Sequence, residues 1–220
     1  ARLVIDMAHF VGLVAGGDVI SDMIRKAQSP LTRDGHRSLW SHAFIFSERR
    51  SDGRWWVIES DLDLRYKQMR LGVQENRIER YFDASEFPNL AVLDFGLDDA
   101  QARQVVTAGL DLLSGLTSYS LSELIGTMFA MQSRRLRKRD NLLAKEGALY
   151  CSAMVQHCYA TAGIHLLPGV SGKNLLPHDI ADSPLPHRAH RLVRDLGVSR
   201  LRELARSAEA LLATPTDKLS

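Results

Sequence analysis

Ser41-His42-Ala43-Phe44-Ile45-Phe46-Ser47, and then Arg54-Trp55-Trp56-Val57-Ile58-Glu59-Ser60 after the turn residues Ser51-Asp52-Gly53, read as a β-hairpin. Both runs are rich in β-branched and aromatic residues, and Asp-Gly is favourable turn chemistry. On the first strand His42, Phe44 and Phe46 share one face, and Ala43 and Ile45 share the other. On the second, Glu59 shares a face with Trp55 and Val57. A short hairpin places His42 and an acid on neighbouring strands within reach of each other.

Leu3 to Ala15 is apolar but carries Asp6 and His9, and reads as a short helix, not a signal peptide. Gly16-Gly17-Asp18-Val19-Ile20 reads as a turn into a short element, and 21–40 as a loop or short helix. A short strand and a small helix are expected within 66–82, and Asn89 to Phe95 is a further strand. Asp98 to Leu113 shows helical spacing through Ala102, Val105, Val106 and Leu110, with acids at its start. A second helix is expected over roughly 120–138. Cys151 opens another that runs to about Ala162 and stops at Gly163. Residues 164–187, with four prolines, read as an extended surface segment. Leu192, Leu196, Leu201, Leu204, Leu211 and Leu212 suggest a last helix over 188–213. Strands and helices are segregated, so the expectation is one α+β domain over 1–220 with a mainly antiparallel sheet.

Composition is that of a globular protein, with 45% hydrophobic and 25% charged residues. The net charge of +2 gives no global field for nucleic acid. No apolar run is long enough for a transmembrane helix. The two cysteines, Cys151 and Cys158, are about 10 Å apart on one expected helix, too far for a disulfide. Cysteine usage therefore does not set a redox compartment.

Cys151 lies in Gly147-Ala148-Leu149-Tyr150-Cys151-Ser152-Ala153-Met154-Val155, where a break leads into a helix-forming run. At a helix N-terminus the free N–H groups and the dipole favour the thiolate. His42 is the candidate base. Parity leaves the orienting acid open between Glu59, Asp61 and Asp63. Taken singly, each has a plainer reading: a locally hydrogen-bonded histidine, a strand-end acid and a small buried hydrophobe. Cys158, flanked by His157 and Tyr159 in mid-helix, reads as packing. Cys151, His157, Cys158 and His165 match no common zinc spacing, and His178, His187 and His190 are expected to face solvent. No metal and no cofactor is expected.

Gly-Asp-Val-Ile (17–20), Trp-Ser-His-Ala-Phe-Ile-Phe (40–46), Trp-Val-Ile-Glu-Ser (56–60) and Leu-Tyr-Cys-Ser-Ala-Met-Val (149–155) together resemble the circularly permuted NlpC-type papain-like superfamily. Bacterial amidase-like proteins and lecithin:retinol acyltransferase relatives belong to it. Gly-Leu-Thr-Ser-Tyr (115–119) and Pro-His-Asp-Ile-Ala-Asp-Ser-Pro (177–184) add to the likeness, which spans about residues 16–185. The order His, polar residue, Cys is the permuted one. The resemblance implies a permuted papain-like fold, with Cys151 as nucleophile, His42 as base and Glu59 as orienter. Tyr119, Tyr150 and Ser152 are candidates for the pocket; Tyr119 departs from the family's Tyr-Asp pair, because Ser120 follows it.

The implied activity is a cysteine hydrolase or acyltransferase working through a thioester. A lipid acyl bond is the first substrate class and a cell-wall peptide or other amide the second. A non-catalytic binding module on the same scaffold is a third reading. Lipid comes first because the apolar stretch Leu121 to Met131, with Met128 and Phe129, runs into Arg134, Arg135, Arg137, Lys138 and Arg139. An apolar helix face joined to a basic cluster suits an anionic membrane surface. The plainer alternative is a core helix ending in a solvated basic turn. Because some permuted relatives are toxins delivered into rival bacteria, export to act at a membrane and an immunity-type inhibitor are further expectations; nucleic acid is not an expected partner.

Overall fold

The computed structural model describes residues 10–63, 70–115 and 150–193. Among them, six strands form one antiparallel sheet: β1 (Phe10–Ala15), β2 (His42–Arg49), β3 (Trp55–Asp63), β4 (Arg70–Arg77), β5 (Asn89–Asp94) and β6 (Arg188–Val193). Their order across the sheet is β4-β3-β2-β1-β5-β6. The helices are α1 (Val19–Ala27), α2 (Asp99–Ser114), α3 (Cys151–Thr161) and the short α4 (Pro177–Ala181). The chain is α+β, as expected. No helix among the described residues is long and apolar enough to cross a membrane.

The β2–β3 hairpin forms as its sequence dictates. Gly53 takes a positive φ of 77° in the turn, and its N–H donates to the Arg50 carbonyl at 2.8 Å. Phe44 pairs with Glu59 and Ile45 with Ile58, and a bulge between Phe46 and Arg49 adjusts the register. The sheet is covered differently on its two faces. Ala43, Ile45 and Ile58 join Val105 and Ala108 of α2 and Met154, Val155 and Cys158 of α3 in the larger core. Phe44, Phe46 and Val57 face a smaller cluster with Ile78, Tyr81 and Phe87. Ile78–Tyr81 is a 3-10 turn that follows β4 directly.

Several expectations are corrected. The apolar run ending at Ala15 is not a helix in its described part: Phe10–Ala15 is a strand flanked by β2 and β5. A strand buried on both faces shows no alternation, and its short apolar run is indistinguishable by periodicity from a helix. Arg188–Val193, expected to begin the last helix, is instead an edge strand on β5. Its Arg188, His190 and Arg191 are exposed, a charge pattern that discourages further pairing at an edge. The rest of the expected 188–213 helix, and residues 1–9, lie outside the described residues.

The proline-containing stretch after Gly163 is also not a surface segment. Leu166, Leu175, Leu176 and Ile180 are fully or almost fully buried. Gln156 on α3 donates to the Ile164 carbonyl and accepts from the Leu166 N–H, while Ser183 donates to the Leu166 carbonyl. Prolines make the backbone irregular; the leucines decide where it goes. Within this stretch His178 is half-buried, and its backbone N–H donates to Gln28 Oε1 at 2.9 Å. His187 is half-buried against Phe95, whereas His190 is exposed as expected.

Candidate active site

His42 is the first residue of β2 and Cys151 the first of α3. Strand parity puts His42 on the Phe44 face, and α3 packs on the opposite face. The two side chains meet because both lie at the ends of their elements. The Cys151 sulfur lies beside the His42 ring, close enough to favour its charged form. On the other side of the ring, His42 Nε2 lies 2.7 Å from Glu59 Oε2. Glu59 is paired with Phe44, so it stands diagonally from His42 on the same face. With Nε2 facing the carboxylate, Nδ1 is the nitrogen left for sulfur.

Glu59 is wholly buried, and such a carboxylate needs its oxygens filled. Oε1 accepts from Asn76 Nδ2 at 2.6 Å and from Arg80 Nη1 at 2.8 Å. Oε2 receives the Tyr81 hydroxyl as well as the imidazole. Burial alone raises the carboxyl's proton affinity, but the bonds and charges of His42, Arg80 and Tyr81 outweigh it and hold Glu59 down to about 2. Burial likewise works against a charged His42, yet the Cys151 sulfur first, and then Glu59 and Asp61, lift the ring well above its usual 6.5. Tyr81, pushed up by burial and by Glu59 and Asp61, stays a neutral donor.

Arg80 reaches a second acid, with Nη2 at 3.2 Å from Asp61 Oδ2. His42, Glu59 and Asp61 bring their ligand atoms within 4.8 Å of one another, a spacing a metal ion can use. Here the guanidinium already bridges the two carboxylates, and the imidazole nitrogen is directed to one of them. The set fits an orienting network better than a metal centre.

The two cysteines have different surroundings. Cys158 is fully buried, and burial pushes its thiol up to about 12. Cys151 retains 7% of its surface at the start of α3. Tyr150, at the N-cap, makes no capping bond with its side chain, and first-turn N–H groups have no acceptor within the helix. The Tyr150 hydroxyl bonds the Lys173 carbonyl instead, and Ser152 Oγ donates to the Leu175 carbonyl at 2.7 Å. Ser152 is fully buried, so its hydroxyl anchors the 172–176 stretch to α3.

Of the residues expected from sequence, Cys151, His42 and Glu59 converge, and Asp61 joins them through Arg80. Tyr119, Met128, Phe129, Arg134, Arg135, Arg137, Lys138 and Arg139 lie outside the described residues, as does the helix expected over 120–138. Sequence reading missed Asn76, Arg80 and Tyr81. The available signal was the strand-then-small-helix pattern of 66–82, which ends beside β3. No protein-family model matches the chain, and no curated protein matches it.

Proposed function

We propose that this chain is a cysteine hydrolase of permuted papain-like architecture, with Cys151 as nucleophile, His42 as acid–base and Glu59 as orienter. One observation carries the reading: an imidazole held between a buried carboxylate and a cysteine at the first position of a helix. Support also comes from the chain order His, acid, Cys and from the contrast with the inert surroundings of Cys158.

In the proposed reaction the Cys151 thiolate, paired with the His42 imidazolium, attacks an acyl carbonyl. The carbonyl π electrons move onto oxygen, where the N–H groups that open α3 are the candidate donors. The tetrahedral species collapses to a thioester as His42 gives its proton to the leaving group. Neutral His42 then takes a proton from water, which attacks the thioester; collapse of the second tetrahedral species expels the Cys151 thiolate. A different entering nucleophile gives acyl transfer. Glu59 keeps the ring oriented through both half-reactions.

Lipid acyl bonds are the proposed substrate class, on the strength of the apolar–polybasic sequence between Leu121 and Arg139. Action at a membrane after export, and an immunity-type inhibitor as partner, belong to the same proposal. The test has two stages. A neutral alkylating agent should modify Cys151 well before Cys158, and His42→Ala should slow the Cys151 reaction by on the order of a hundredfold, the low end of a general base's contribution. Equal labelling of the two thiols would instead favour a non-catalytic module. Liposomes and peptidoglycan are then offered separately: Cys151-dependent fatty-acid release supports the lipid reading, and muropeptide cleavage alone replaces it with an amidase.

A further inference from the structure

We propose that Arg80 is a positioning residue of this site: its guanidinium, bridging Glu59 and Asp61, supplies the standing counter-charge that lets the Glu59 carboxylate orient the His42 ring without holding on to that ring's proton. The inference rests on the cysteine-hydrolase reading and adds to it a residue that reaches the reacting atoms only through another.

The two ends of the Glu59 carboxylate have different partners. Oε1 takes Arg80 Nη1 at 2.8 Å and Asn76 Nδ2 at 2.6 Å, while Oε2 takes His42 Nε2 and the Tyr81 hydroxyl. One oxygen is thus occupied by a fixed cation and an amide, and the other by the imidazole and a phenol. A wholly buried carboxylate requires a positive partner. If His42 were the only one, the ring would be bound as imidazolium through the whole cycle. It would then be slow to release its proton to a leaving group and slow to accept one from water. Arg80 cannot deprotonate in this setting, so it balances Glu59 in either state of the ring. Asp61, on the far side of the guanidinium, fixes its plane through Nη2 at 3.2 Å. The 3-10 turn that carries Arg80 is itself held to β2, because its Tyr81 ring stacks on Phe44 at 4.8 Å.

Among the described residues, the charged and titratable groups facing His42 are Cys151 from α3, Glu59 and Asp61 from β3, and Arg80 and Tyr81 from the 3-10 turn, with Asn76 of β4 beside them. Only Arg80 among them is a permanent cation.

The test reads the His42 ring directly. In this chain, with Cys151→Ala removing the sulfur, histidine-labelled NMR follows each of the eight imidazoles. His42→Gln identifies the relevant signal. Arg80→Gln should raise the His42 titration by roughly one pH unit, a tenfold gain in proton affinity. Arg80→Lys, which keeps the charge, should restore most of the original value. Tyr81→Phe, which keeps Arg80, should move it less than Arg80→Gln does. An unchanged or lowered titration in Arg80→Gln overturns the assignment. If that variant does not fold, the other two decide: a Lys variant displaced by a full unit, or a Phe variant displaced as far, places the charge balance elsewhere. Alkylation of Cys151 with and without His42 judges the hydrolase reading separately, since the ring's titration here involves no thiol.

Discussion

The Tyr81 ring lies face to face with Phe44, with centroids 4.8 Å apart and planes only 3° from parallel. This contact fastens the turn carrying Arg80 and Tyr81 onto the strand carrying His42. Phe44 has room for it because the residue opposite on β1 is Gly12. A Cβ at position 12 would come within 2.0 Å of the Phe44 ring. Gly12 is thus a packing requirement of the site and does not depend on an unusual backbone angle.

Gly12→Ala should therefore push the Phe44 ring off Tyr81. Overpacking of this kind costs about 1–3 kcal/mol. Denaturant unfolding measures the loss, and slower Cys151 alkylation in the folded fraction checks that the displacement reaches the site. A variant as stable as the parent would mean that Phe44 has another rotamer available at no cost.

Glu59→Gln keeps the shape of the side chain and removes its charge. Arg80 then faces a neutral amide, and His42 loses its anionic partner. Cys151 alkylation near neutral pH should fall by about tenfold or more, since each pK unit lost in the imidazolium is a tenfold change. Asp61→Asn should have the smaller effect, because Asp61 meets Arg80 and is only half-buried. The reverse ranking would transfer the orienting role to Asp61.

These residues differ in how far sequence exposed them. The hairpin was legible because Ser51-Asp52-Gly53 and the flanking aromatic strands are local signals, and diagonal pairing of His42 with an acid follows from parity. Selection of Glu59 over Asp61 was not legible from parity. It depends on Asn76, Arg80 and Tyr81 arriving from β4 and the turn after it, a tertiary event. The strand Phe10–Ala15 was hidden because full burial erases alternation. The strand Arg188–Val193 is hidden because its one leucine, Leu192, is in helical register with the leucines that follow it in sequence. In the 164–187 stretch, prolines mark irregular backbone, which is not the same as exposure, and Leu166, Leu175 and Leu176 carry the opposite signal.

Ser152 sits beside the proposed nucleophile, and its hydroxyl is directed to the Leu175 carbonyl inside the protein. Ser152→Ala leaves that buried carbonyl without its donor, at a cost of about 1–3 kcal/mol. Thermal or denaturant unfolding should register the full loss. Ser152→Cys or Ser152→Thr should recover part of it if the hydroxyl position is the cause. A neutral alanine substitution would show that water or another donor readily serves Leu175.

Stability should vary with pH in opposite senses for the two partners. Glu59 is held at about 2 in the fold, against a usual 4.5. Its contribution is therefore complete above pH 4.5 and is lost as pH falls toward 2. His42 is lifted well above 6.5 despite its burial, by Cys151, Glu59 and Asp61. Its contribution is complete below pH 6.5 and drains away as pH rises through the elevated value. Melting temperatures of the parent, Glu59→Gln and His42→Gln separate the two limbs. The gap between parent and Glu59→Gln should narrow on the acid side, and that between parent and His42→Gln on the alkaline side. A parent–Glu59→Gln gap that stays constant from pH 4.5 down to about 2 would mean that the fold does not hold the carboxylate below its usual range, and the charge argument for Arg80 would go with it.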